Sequence, residues 1–233
     1  MPFYYDMIYW IILIPVMLLS VYAQIKVSSS FNRFGKVPNQ RRITGAQAAD
    51  AVLRAHGITD VAIKPCRGHL SDHYDPRDNS IYLSESVYHA DSVAAVGVAA
   101  HEAGHAVQYA VGYGPIRLRM AILPATQFGS KFSFISIALG LVLYAQPLFA
   151  VGIILFALTT FFQLVTLPVE FDASARAVGT IEGAGLLNEE EQRGAKKVLS
   201  AAALTYVAAL LASLVQLVRY VLLFVGRDSR RRR

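Results

Sequence analysis

Charge and cysteine are what this chain has least of. Only 16% of its 233 residues are Asp, Glu, Lys or Arg, while 55% are hydrophobic; soluble domains carry charge on roughly a quarter of their residues. So little charge among so many apolar side chains excludes an ordinary water-soluble domain and points to a bilayer. A single cysteine, Cys66, excludes an internal disulfide and any zinc site built from clustered thiolates. The net charge is +6, yet no basic stripe with interleaved aromatics is present, so no nucleic-acid partner is expected. The Lys and Arg residues instead flank apolar runs, where anionic headgroups of a lipid bilayer would meet them.

Those runs set the organisation. Met7 to Ile25 is uncharged, long enough to cross the hydrocarbon at ~1.5 Å per residue, and carries Tyr9, Trp10 and Tyr22 where aromatic belts sit. No basic residue precedes it and no small-residue cleavage site follows, so it reads as a retained anchor, residues 1–25, and not as a signal peptide. Residues 26–43 form a basic linker with Lys26, Arg33, Lys36, Arg41 and Arg42, which should lie on the cytoplasmic side.

Residues 44–128 read as a soluble subdomain. Thr44-Gly45-Ala46-Gln47 resembles a capping box opening a helix that stops at Gly57. Val61 to Ile63 and Ile81 to Leu83 read as strands, and the turn residues Asp75 to Asn79 make Leu70 to Ser84 a β-hairpin. Ser92 to Ala110 is a helix apolar on most faces, capped by Asp91 or Ser92. Residues 129–167 form a transmembrane helical hairpin broken at Gln146-Pro147. In the polar segment 168–197 a helix is expected to start at Pro168. Residues 198–233 are an apolar helix carrying Arg219, then an Arg-rich tail. A fourth span there would put that tail opposite the basic linker; a helix lying along the interface, with Arg219 snorkelling, would relieve the conflict. The expected fold is mainly α, polytopic with about four transmembrane helices, and with a small α+β zincin-like cap.

The chemistry sits in the buried helix, which reads His101-Glu102-Ala103-Gly104-His105. Residues i and i+4 stack on one helix face, so His101 and His105 aim two imidazoles at one point, and Glu102, about 100° round, can act as general base on a water held there. From this chain's own His and Glu frequencies, a chance match to this pattern is expected about 0.005 times. Two histidines and a glutamate among Ala, Val and Gly would be costly to bury unpaired, and one zinc ion per chain supplies the missing partner. Gly104 fits a close approach of a neighbour or of substrate, since it weakens a plain helix by roughly 1 kcal/mol. Two crossings separate His105 from Pro168, so Glu170 is the first carboxylate to return to the motif's side and is the expected third ligand. Asp172, Glu182 and His89 are reserves. Asp172 or Ser174 could hold the second nitrogen of a histidine.

The segments GHLSDHYDPRDNSIYLS from Gly68, SVAAVGVAAHEAGHAVQ from Ser92, LPVEFDASARA from Leu167 and AAALTYVA from Ala201 resemble the YugP-like neutral zinc metallopeptidases across nearly the whole chain. The resemblance implies a membrane metalloprotease, with His101, His105 and Glu170 as zinc ligands and Glu102 as the catalytic residue. The chain is more distantly similar to HtpX-type membrane proteases, which usually carry an aspartate four residues after the glutamate ligand; Ser174 stands there instead.

An edge strand upstream of the motif helix could pair with extended substrate through Asp72, His73 and Tyr74, or the same residues could form only a polar turn. His56, His69 and His73 read as surface or structural residues. Tyr206, Tyr109, Tyr113 and Arg117 are candidates for stabilising an oxyanion. The expected partners are a polypeptide substrate, membrane-bound or unfolded, and the bilayer itself. The expected site of action is the cytoplasmic face of a bacterial cell membrane. Two rival functions share these residues, a catalytically idle zinc-bound membrane scaffold and a metal hydrolase of non-peptide substrates.

Overall fold

The computed structural model describes residues 2–68 and 70–231, with side chains at all of these except 2–6, 8 and 227–231. Among these residues the chain is mainly helical. Its helices are α1 (Pro2–Phe34), α2 (Gly45–Ala55), α3 (Glu85–Tyr88), α4 (Val93–Ala110), α5 (Gly114–Val142), α6 (Gln146–Gly183) and α7 (Glu189–Arg231). Three strands, β1 (Ala62–Cys66), β2 (His73–Asp75) and β3 (Ser80–Ser84), form one small sheet. The chain divides into two compact units. One comprises Met1–Tyr22, Leu118–Leu167 and Thr205–Arg233; the other comprises Ala23–Arg117 and Pro168–Leu204.

The second unit holds the core and the sheet. Its sheet order is β1-β3-β2, with β2 antiparallel to β3 as the hairpin reading required and β1 parallel to β3. Ile81 and Leu83 of β3 are fully buried and join Val52, Val87, Val96 and Val107 in one apolar core. Helix α2 opens as expected: the Gln47 N–H donates to Thr44 Oγ1 at 3.3 Å and the Thr44 N–H to Gln47 Oε1 at 2.8 Å. Helix α4 is capped by Ser92, whose Oγ accepts from the Ala95 N–H at 3.2 Å.

A strap of backbone and one buried side chain ties the linker to the start of α4. The Val93 N–H donates to Val37 O, and the Asn39 N–H to Asp91 O at 2.7 Å. Asn39, 1% exposed, uses its amide completely: Nδ2 donates to Ile43 O and Asp91 O, and Oδ1 accepts from the Ile43 N–H. Buried amides are retained where every donor and acceptor is matched.

The first unit is helical. Its α1 side chains face outward with little polar company, Ile11 at 65% and Leu18 at 64% exposure, a surface suited to lipid rather than water. Helices α5 and α6 pack antiparallel: a Cβ on Gly140 would meet Phe149, one on Gly129 would meet Leu155, and one on Gly152 would meet Ile137. Small residues let such helices approach closely. Among the described residues, three helices are long and apolar enough to cross a membrane, namely α1 from Tyr9, α6, and α7 to Gly226.

The helix expected to start at Pro168 does not start there; α6 runs through Pro168 unbroken. A proline inside a helix forfeits one ladder hydrogen bond, whereas ending the helix there would expose several carbonyls at once. Likewise α7 begins at Glu189, so the apolar segment from Val198 continues the helix that carries Glu189, Glu190 and Glu191 in its first turn. Acidic residues there suit the positive end of the helix dipole.

Asn39→Ala should destabilise the protein by about 1–3 kcal/mol, because three hydrogen bonds inside a dry corner lose their partner. Thermal unfolding in detergent micelles checks this, with the exposed substitution Gln40→Ala as a near-silent comparison.

Candidate metal centre

Helix α4 presents His101, Gly104, His105 and Gln108 on one stripe, spaced three and four residues apart. The Pro168–Gly183 part of α6 presents Glu170, Ala173 and Ser174 to it. The contact is close because residue 104 has no side chain: a Cβ there would lie 2.6 Å from Ala173 O. Gly104 thus brings two backbones together, and with them the ligands on either side.

His101 Nε2 lies 3.2 Å and His105 Nε2 3.7 Å from the same Glu170 Oε2. One ligand atom from each of the three residues falls within 4.8 Å of the others, and among the described residues they form a group able to hold a metal ion. Ligands about 2.0–2.2 Å from a tetrahedral zinc stand about 3.3 Å apart, close to the 3.2 and 3.7 Å that separate the two imidazoles from Glu170. The donors, two nitrogens and one carboxylate oxygen, are those zinc takes in open three-residue sites. All three are largely withdrawn from solvent, Glu170 to 3% exposure.

The far side of each imidazole is also held. His101 Nδ1 lies 3.0 Å from Ser174 Oγ, and His105 Nδ1 lies 3.0 Å from Gln108 Oε1. Gln108 in turn donates to Val169 O and to Asp172 Oδ2, both at 2.8 Å. Burial works against a charged His105. The hydrogen bond to Glu170 and the charges of Glu102 and Glu170 outweigh it and lift the imidazole above its ordinary pKa. The two carboxylates thus favour positive charge at this centre, which a divalent cation can supply.

The sequence-expected residues separate clearly. His101, His105 and Glu170 converge, and Glu102 lies beside them on α4, 9% exposed. Ser174 reaches His101, whereas Asp172 reaches no histidine directly and is joined to His105 through Gln108. His89 packs edge-on against Tyr88, and Glu182 pairs with Lys196, so neither reserve joins the cluster. Tyr113 lies beneath the Arg176 guanidinium, 5.9 Å from ring to carbon. His56 Nδ1 sits 2.9 Å from Val52 O, a local helix-end contact, and His69 lies outside the described residues.

The hairpin side chains are largely engaged with their own turn. Asp72 accepts from the Ser84 N–H and hydroxyl, His73 stacks on Tyr82 at 5.1 Å, and the Tyr74 hydroxyl donates to Asn79. The Arg77 side chain and N–H hold the Asp75 carboxyl down at about 2, and burial pushes Tyr74 up to about 12. Tyr74 also packs on Tyr109 of α4, ring centroids 5.4 Å apart, which sets β2 beside the motif helix.

Gln108 went unnoticed in the sequence because a lone glutamine matches no motif. Its sequence signal is a polar residue seven positions after His101, on the same stripe of an Ala- and Val-rich helix; the structure adds that it is wholly buried.

Comparison with known proteins agrees with this centre. The profile of a family described as "Putative neutral zinc metallopeptidase" matches residues 9–225. The chain is 47% identical over 212 residues to a protein called "Putative membrane protease YugP" from Bacillus subtilis (strain 168), covering 91% of this chain and 94% of that one. No solved structure matches the chain significantly.

Gly104→Ala should force α4 and α6 apart at Ala173, costing about 1–3 kcal/mol of stability as overpacking does, and should weaken metal uptake in proportion to the displaced ligands. Gly179→Ala, where a Cβ meets nothing within 4 Å, should be neutral or stabilising by up to about 1 kcal/mol. Melting temperature and zinc content of the two purified variants distinguish the cases.

Proposed function

This chain belongs to the neutral zinc metallopeptidase family, and we propose that it is a membrane endopeptidase that hydrolyses peptide bonds at one zinc held by His101, His105 and Glu170. The observation that carries the reading is the convergence of these three side chains within 4.8 Å, with Glu102 one residue from a ligand on the same helix. Bound there, zinc would act as a Lewis acid on the scissile carbonyl and on the attacking water. Glu102 takes one proton from that water as its oxygen bonds to the carbonyl carbon, then delivers it to the amine nitrogen as the carbon–nitrogen bond breaks. Gln108 and Ser174 keep the imidazoles oriented, and the buried setting of Glu170 excludes competing water.

An extended polypeptide is proposed to lie along β2. That strand is at an edge of the sheet and beside α4, and its main chain offers hydrogen bonds indifferent to substrate sequence. With Asp72, His73 and Tyr74 engaged elsewhere, the backbone of these residues, rather than their side chains, would do the binding.

The membrane part is proposed to contain four crossings in a bacterial cell membrane. The chain passes between its two units at four points, after Tyr22, Arg117, Leu167 and Leu204. Helix α5 runs antiparallel beside α6 through Gly140, Ile137 and Gly129, and so covers the same depth although it is the more polar of the two. The small sheet and α4 then form a zincin-like cap, proposed to face the cytoplasm because the basic linker adjoins it.

Two measurements test this reading. Zinc by inductively coupled plasma mass spectrometry should be about one per chain in wild type and in Glu102→Gln and largely lost in Glu170→Ala, with casein degraded by wild type alone. A wild type free of zinc under chelator-free conditions would sink the proposal, and zinc retained by Glu170→Ala would remove that ligand. For orientation, the chain's own Cys66, half-buried in the cap, serves as a probe. A membrane-impermeant maleimide should label it only after cells are permeabilised; labelling of intact cells would put the cap outside.

A further inference from the structure

Resting on the reading of His101, His105 and Glu170 as a zinc site, we propose that Gln108 is a positioning residue that fixes the tautomer of His105, with the Asp172–Arg176 ion pair setting which end of its amide faces the imidazole. Gln108 is wholly buried, and its three polar contacts leave it one orientation. The Val169 carbonyl and the Arg176-paired Asp172 carboxylate only accept hydrogen bonds, and both lie 2.8 Å from the amide nitrogen. The two N–H bonds are therefore committed to them, and Oε1, an acceptor only, is left facing His105 Nδ1 at 3.0 Å.

An acceptor at Nδ1 requires the proton to be there. His105 then keeps the Nε2 lone pair free on the side of Glu170, which is the form a metal ligand needs. Arg176 holds the arrangement from behind, its Nε 2.6 Å from Asp172 Oδ2 and its Nη2 3.4 Å from Oδ1. His101 is treated differently. Its Nδ1 meets the Ser174 hydroxyl, which can donate or accept and so imposes no tautomer. The site is thereby asymmetric, one histidine preset and the other adaptable.

The test uses full-length protein in detergent micelles. Zinc affinity is measured by competition with a chromophoric chelator, thermal stability on the metal-free protein, and the imidazole protonation pattern by nitrogen-15 NMR on the zinc-loaded protein. Wild type should show a proton on His105 Nδ1. Gln108→Leu should lower zinc affinity by about 10- to 100-fold, the usual cost of losing such a partner, a loss beyond what the accompanying fall in metal-free stability accounts for. Gln108→Glu alone places a carboxylate against Asp172 and should also lose affinity; adding Asp172→Asn restores a donor and should recover most of the loss.

If wild type and Gln108→Leu bind zinc equally, or affinity falls only in step with metal-free stability and the double variant gives no rescue, Gln108 does not position His105 and the inference is overturned. If wild type itself binds no zinc and behaves as Glu170→Ala does, the zinc reading fails and this inference fails with it.

Discussion

Everything at the centre depends on how closely two helix backbones approach at Gly104. The Ala173 carbonyl occupies the space where a Cβ would stand. Because side chains on a helix repeat every three to four residues, this one contact sets the separation of His101 and His105 from Glu170 and Ser174 above and below it. Gly97, facing Ala195, and the buried alanines of α4 extend the same principle along the helix, so that the motif helix is gripped by small residues and not spaced by large ones. Precision in a metal site requires rigid support, and here all three candidate ligands sit on helices rather than loops.

That close packing creates an electrostatic demand. One buried and one half-buried imidazole, two buried carboxylates and a buried amide lie among Ala, Val and Gly, where each unsatisfied polar atom costs free energy. Hydrogen bonds meet the demand on the outer side of each ring through Ser174 and Gln108. On the inner side, a single carboxylate oxygen is shared by both Nε2 atoms. A divalent cation resolves that shared contact better than a proton can, since it accepts a lone pair from each ring and from the carboxylate together.

How much of this could be read beforehand follows from the range of each signal. The capping box at Thr44, the Ser92 cap and the Asp75–Asn79 turn were legible because their partners lie within a few residues. The His101–His105 pair was legible for the same reason, four residues being one helical turn. Glu170 lies far along the chain, where the order of the apolar segments points to it and no local pattern does. The parallel pairing of β1 with β3 and the unbroken course of α6 through Pro168 were not legible, since each is decided by distant packing that outweighs a local preference. Gln108 fell between these cases: its stripe was visible, but its value depends on Asp172 and Val169, more than sixty residues away.

The basic residues that make orientation ambiguous in the sequence look different once the helices are known. Arg219 does not need to reach an interface to be accommodated. Its guanidinium lies 4.0 Å over the Tyr9 ring, and the Tyr9 hydroxyl donates to Gln216, one turn back along α7. Such a cation–π contact is strongest where water is scarce. Arg219 therefore carries little information about sidedness, and the comparison rests on the segments that flank the crossings. In the second unit these include Lys26, Arg33, Lys36, Arg41, Arg42 and Arg117. The turn between α5 and α6, residues 143–145, has no charge, and residues 1–6 have no Lys or Arg. Orientation follows the sum of basic residues in short segments near the helix ends rather than any one residue, which is why the proposed cytoplasmic placement rests on the basic linker and not on Arg219.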